Sequence, residues 1–205
     1  MRAGVLLAML PIGLLVAMAS PKDAQASGSS GGTAWKDADA PSRIRQYAAP
    51  IEAAAGWEGL GDFLVALAFT ESRGNSRALG DGGSSGGWFQ MKRSAKCVDA
   101  MGLSAAELAQ ASEELQVLLA ACHAHRLGTV WASSGQRVEW QDIRRGWAFP
   151  KWVKESYRGS SETRNNRRRF DRGIRAAGLP AAFATRRAFP SGFDWPGLSA
   201  LLEMI

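Results

Sequence analysis

Phe69-Thr70-Glu71-Ser72-Arg73 closes an apolar run that begins near Phe63. After a glycine-rich stretch comes Ser85-Gly86-Gly87-Trp88-Phe89-Gln90-Met91. Phe63, Leu64, Val65, Leu67, Ala68 and Phe69 are apolar on nearly every side of a helix. Such a helix belongs at the centre of a domain, with Asp62 as its expected N-cap. Glycines at 74, 80, 82, 83, 86 and 87 exclude a helix over the next segment. Glu71 therefore stands at the exit of a central helix. The negative end of the helix dipole and the apolar surroundings both disfavour its ionised form, the setting a general acid needs. The same letters also fit an exposed glutamate whose stem covers the helix end.

Outward from this point the chain reads as more helices. Ile44 to Gly56 is alanine-rich and periodic, with a break or a new first turn expected at Pro50. Ser104-Ala105-Ala106-Glu107 is a capping box, and Ser112-Glu113-Glu114 starts a helix with Leu115, Leu118, Leu119 and Cys122 on one face. Trp140 to Phe149 and Glu162 to Ala177 are two further helices, the last closed by Gly178. Alternating Val, Ile and Thr are nearly absent, so the expected fold class is all-α.

The chain has 205 residues, 46% of them hydrophobic and 21% charged, which excludes wholesale disorder. Two cysteines and two histidines exclude a four-cysteine zinc site and make a multi-histidine metal centre unexpected. His123 and His125, two residues apart on a helix, face different sides. No metal and no cofactor are expected.

Residues 1–26 read as an export signal. Arg2 precedes an apolar run from Val5 to Ala19, and small-x-small sites follow at Ala17-Met18-Ala19 and Ala24-Gln25-Ala26. The run is shorter than the roughly 20 residues a membrane span needs, so no transmembrane segment is expected after cleavage. Residues 27–40 read as a Gly/Ser-rich linker and 41–178 as the folded domain. Residues 179–205 form a tail carrying Phe183, Phe189, Phe193 and Trp195, which either docks on the domain or binds a partner. Export to a periplasmic or extracellular space favours a disulfide between Cys97 and Cys122 over two buried thiols.

The stretch around Glu71 resembles the catalytic signature of soluble lytic transglycosylases and goose-type lysozyme relatives. Those enzymes place Glu-Ser at a helix end, then an Asn, then a Gly-Leu-Met-Gln segment. Here Glu71-Ser72 is followed by Asn75, and Gly87-Trp88-Phe89-Gln90 ends 19 residues past Glu71. Ile44 to Thr70 resembles the helix pair that leads to the family's glutamate. Glu162-Thr163-Arg164-Asn165 resembles the segment that opens its closing helix. The family's Ala-Tyr-Asn-Ala-Gly motif has no counterpart, and Gly146-Trp147-Ala148-Phe149-Pro150 stands in the comparable place.

The resemblance implies a lysozyme-like helical domain over 41–178 that cleaves the glycan strands of peptidoglycan. Glu71 would protonate the glycosidic oxygen and then act as base toward the sugar's own 6-hydroxyl, giving a 1,6-anhydro product. Lysozyme-type hydrolysis would need a second carboxylate to activate water. Asp81 is the candidate, and a turn-forming Asp-Gly is the plainer reading of it. Ser72, Asn75, Gln90, Trp88 and Trp147 are the candidate substrate contacts. For Ser72 the alternative is a polar residue closing the helix, for Gln90 a brace of the cleft, and for Trp88 a place in the core.

The net charge of +6 is uneven. Residues 137–187 hold 12 Arg and 2 Lys against 5 acids, a net +9, leaving −3 elsewhere. Arg167-Arg168-Arg169, Arg172 and Arg175 form either a solvated helix face or a surface for anionic cell-wall polymers. Nucleic acid is not expected for an exported chain. Two other classes fit the same letters: a non-catalytic glycan-binding protein on this fold, and a basic secreted protein that binds polyanions.

Overall fold

A computed structural model describes residues 34–133, 135, 137–148, 161–189, 195–197, 200 and 203. The expected export signal, linker residues 27–33, Phe149, Pro150 and Phe193 lie outside the described residues. The described chain is mostly helical: α1 (Ala40–Ala55), α2 (Leu60–Ser72), α3 (Lys96–Ala100), α4 (Ala105–Gln110), α5 (Glu113–Ala132), α6 (Trp140–Ala148) and α7 (Ser161–Ala176). Between α2 and α3 lie three two-residue strands: β1 (Leu79–Gly80), β2 (Ser85–Gly86) and β3 (Met91–Lys92). They pair antiparallel in that order, Leu79 opposite Gly86 and Gly86 opposite Met91.

α2 is the central element. Leu60 and Phe63 to Phe69 are all buried, as its continuous apolar run requires. α1, α5 and α7 pack around it, and α6 lies against α5 and α7. α7 crosses α2 at Gly173, where any Cβ would run into the Ala66 carbonyl oxygen and the Thr70 hydroxyl. Trp140 opens α6 within a ring stack, 4.7 Å from Phe63 and 5.9 Å from Trp57. That stack fixes where the following turn of α6 meets the end of α2.

Several element ends differ from expectation. α1 starts at Ala40 with Pro41 in its first turn and runs unbroken through Pro50. Pro50 and Gln46 are both exposed, so the carbonyl that loses its helical donor lies on the water side. Asp62 does not cap α2. The cap is Gly59 at φ 89°, the α1 side chain of Glu52 accepts from the Gly61 N–H at 3.0 Å, and Asp62 pairs with Arg45 at 2.9 Å. The Ser104–Glu107 capping box and the Ser112 cap form as expected.

The linker reading of 27–40 ends too late. Trp35 lies edge-on to Phe69 at 5.0 Å and donates to the Ala176 carbonyl at 3.2 Å, so the fold begins before Pro41. The tail docks. Phe183 and Ala188 are fully buried, the Trp57 indole donates to the Ala188 carbonyl at 2.6 Å, and Trp195 stacks on His125 at 4.6 Å. Cys97 and Cys122 are joined in a disulfide that ties α3 to α5. Among the described residues no helix is long and apolar enough to cross a membrane.

Two stability outcomes follow. Reducing the disulfide frees a 25-residue loop, so urea unfolding with reductant should show a loss of about 3–4 kcal/mol in the chain-entropy picture. Gly173→Ala forces α2 and α7 apart and should cost about 1–3 kcal/mol. An unchanged Tm for that variant would contradict the close crossing.

Candidate functional site

α2 delivers Glu71 to the edge of a cleft of about 500 Å³. One wall is the small sheet, with Asp81, Gln90 and Lys92; the other is α7, with Asn165, Asn166 and Arg169. Trp147 and Ala148 of α6 close one end. Arg144, three residues before Trp147, meets Glu71: its Nη2 donates to Glu71 Oε1 at 2.6 Å. The Arg144 side chain is 3% exposed and that of Glu71 15%. Burial pushes the Arg144 guanidinium below its ordinary range; Glu71 opposes this and nearby Arg169 adds to it. Nε and Nη1 of Arg144 are buried with no hydrogen-bond partner. A buried donor left without a partner costs about 1–3 kcal/mol.

Gln90 is held at φ 48°, and its side chain braces the sheet. Nε2 donates to the carbonyls of Ala78 (3.1 Å) and Gly87 (2.9 Å), while Oε1 accepts from Ser85 Oγ at 3.0 Å. Gly80 leaves the room this needs: a Cβ there would occupy the place of Gln90 Oε1. Asp81 sits at the turn with φ 50° and pairs with Lys92 at 2.9 Å, both well exposed on the cleft wall. Trp147 donates to the Phe89 carbonyl at 3.1 Å and packs at 4.8 Å on His123, so its position is set from behind.

Of the residues expected from sequence, Glu71, Asp81, Gln90 and Trp147 share this cleft. Three do not serve it. Trp88 is fully buried, its indole donating to the Gly74 carbonyl, so it cannot stack on a ligand. Ser72 is buried and turns its hydroxyl back to the Ala68 carbonyl. Asn75 accepts from the Arg77 N–H and shapes the loop after α2. The reading of Glu71 as a carboxyl with only apolar neighbours is also corrected, because Arg144 is its partner.

Arg144 and Asn166 were not singled out in the sequence; Arg169 was read there only as part of a basic helix face, and it lines the cleft. A signal for Arg144 exists: Trp140, Ile143, Arg144 and Trp147 fall at i, i+3, i+4 and i+7, which puts an arginine in an inward stripe. Among the described residues no group of His, Cys, Asp and Glu could hold a metal ion. Comparison with family models, with curated proteins and with solved structures found no match for this chain.

His123 makes the Trp147 wall pH-sensitive. Burial, aided by Arg126, pushes its imidazole down to about 4 from 6.5. A lowered folded value means the stability it confers is full above pH 6.5 and is lost as pH falls toward 4. The loss should approach about 3 kcal/mol, read from urea unfolding at pH 7 and pH 4. If His123→Leu loses stability in parallel with the wild type, another group is responsible.

Proposed function

We propose that the chain is an exported peptidoglycan-cleaving enzyme of the lysozyme-like lytic transglycosylase type, with Glu71 as its general acid and base. What carries this reading is a convergence. Glu71, Gln90 and Asn165 come from three separate stretches, each of which resembles the family's pattern, and all line one cleft. The amide side chains of Asn165 and Asn166 suit the hydroxyl and acetamido groups of a glycan, and the half-buried face of Trp147 suits a sugar ring. The disulfide is compatible with an oxidising compartment.

In this mechanism Glu71 gives its proton to the glycosidic oxygen as the bond to the anomeric carbon breaks. The glutamate is then a carboxylate, and Arg144 at 2.6 Å stabilises that charge. The carboxylate next takes the proton from the 6-hydroxyl of the same sugar as that oxygen closes on the anomeric carbon. The guanidinium thus stands at the glutamate in place of the tyrosine that the family's missing motif would supply. One carboxylate suffices for this route. Asp81, tied to Lys92 in an exposed turn, is the second carboxylate that hydrolysis would need.

The Glu71–Arg144 pair also favours a second reading, in which the cleft binds glycan or polyanion without cutting it. Digestion of purified cell walls separates the two. Glu71→Gln should lower muropeptide release by at least about 100-fold, and mass spectrometry should show products lacking one water. Release that is unchanged in Glu71→Gln overturns the assignment. Binding with no release by the wild type selects the second reading.

A further inference from the structure

Arg144 borders a second and smaller cavity, between α6 and α7. This pocket measures about 100 Å³ and is lined by Arg144, Arg145, Arg164 and Arg167, with Asp171 the one acid among the described lining residues. Its scale is that of a single small group rather than a sugar ring. Asn166, buried, lines both this pocket and the cleft. Arg145 already spends part of its charge on Asp142 at 3.4 Å.

Arg144 is different: Nη2 serves Glu71 while Nε and Nη1 are buried with no acceptor. Folding has taken those two donors out of water and supplied nothing in return. Such a group calls for an acceptor, and the Arg167 guanidinium on the same pocket favours a negative one.

We propose that the pocket between α6 and α7 is an oxyanion site that takes one phosphoryl or carboxylate group on Arg144 and Arg167. Through the shared guanidinium the bound anion is linked to Glu71 in the cleft. The anion accepts from a donor that Glu71 does not use, so both can be held together. Two negative groups then share one buried positive charge, and occupation of the pocket alters the electrostatic setting of Glu71. The site does not rest on glycan cleavage, because it can be measured with no glycan present.

The test is calorimetric titration of the full folded chain at constant ionic strength. The probes are inorganic phosphate, acetate and a glycerol-phosphate polymer, with chloride as the blank. Saturable binding at one site per chain is expected for phosphate or acetate, and the preferred ion assigns the group. Polymer binding with the same variant pattern assigns a chain-borne group; binding of the free ion alone assigns the free ion.

Arg167→Gln should weaken phosphate binding at least tenfold, whereas Arg168→Gln, next to it but outside the pocket, should change it less than twofold. In parallel, the carbon resonance of the Glu71 carboxyl should move as phosphate saturates the wild type, and in Arg167→Gln its midpoint should shift to at least tenfold higher phosphate. Absence of saturable binding, or equal weakening by both variants, overturns the site. Phosphate binding that leaves the Glu71 resonance unmoved overturns the link through Arg144. If this site fails while Glu71→Gln still abolishes cell-wall digestion, the functional reading stands without it.

Discussion

A guanidinium buried beside a carboxylate at the exit of a central helix sets the terms for the rest of this structure. Removing Arg144 and Glu71 from water is costly, and the mutual attraction repays it only when the geometry is held tightly. The surrounding packing provides that hold. The apolar run of α2 fixes the glutamate's position by burying almost every residue before it. The ring stack of Trp57, Phe63 and Trp140 fixes the start of α6, one turn ahead of Arg144. α7 approaches α2 through Gly173, close enough for Arg169 to reach the Thr70 carbonyl at 3.4 Å. The pair is better understood as something the core supports than as something that supports the core.

The opposite wall of the cleft is built by another device. Six residues of strand make a sheet too small to be stable by itself. The Gln90 side chain supplies the missing rigidity by bonding to Ala78, Gly87 and Ser85, and Gly80 makes way for it. A glycine-rich segment that reads as flexible is thereby held in one shape. The residues facing the cleft from this side, Asp81 and Lys92, are displayed by a frame whose bonds are internal. Gln90 thus shapes the site with polar atoms that already have partners within the protein.

The helices were legible wherever the periodic pattern was long or the cap chemistry local. The Ser104–Glu107 box, the Ser112 cap and the buried α2 all follow from neighbours in sequence. Asp62 misled because Gly59 holds the cap position and the acceptor for the first-turn N–H of Gly61 is Glu52, at the end of the preceding helix. Trp35 misled because its surroundings look like linker while its indole finds Ala176 at the other end of the fold. In the site, Glu71 and the wall residues could be read from type and spacing. Trp88 and Ser72 were left between two readings, since an irregular segment gives Trp88 no periodicity to tell inside from outside and a helix's last turn can face either way. Arg144 was hidden for the converse reason. It lies on a periodic apolar stripe, and only the fold shows that this stripe ends against a carboxylate.

The docked tail bears on how the molecule comes into being. A polypeptide emerges from the ribosome N-terminus first, and the indole N–H of Trp57 must wait for a carbonyl 131 residues further on. Until Ala188 arrives, the Trp57–Trp140 stack has an open side, and the face that Phe183 covers is bare. The helices that carry Glu71 and Arg144 are therefore made well before the core that clamps them can shut. Before that point the aromatic surface that the C-terminal segment covers in the fold has no cover from it. Closure comes late and from the far end, as a drawstring closes a bag.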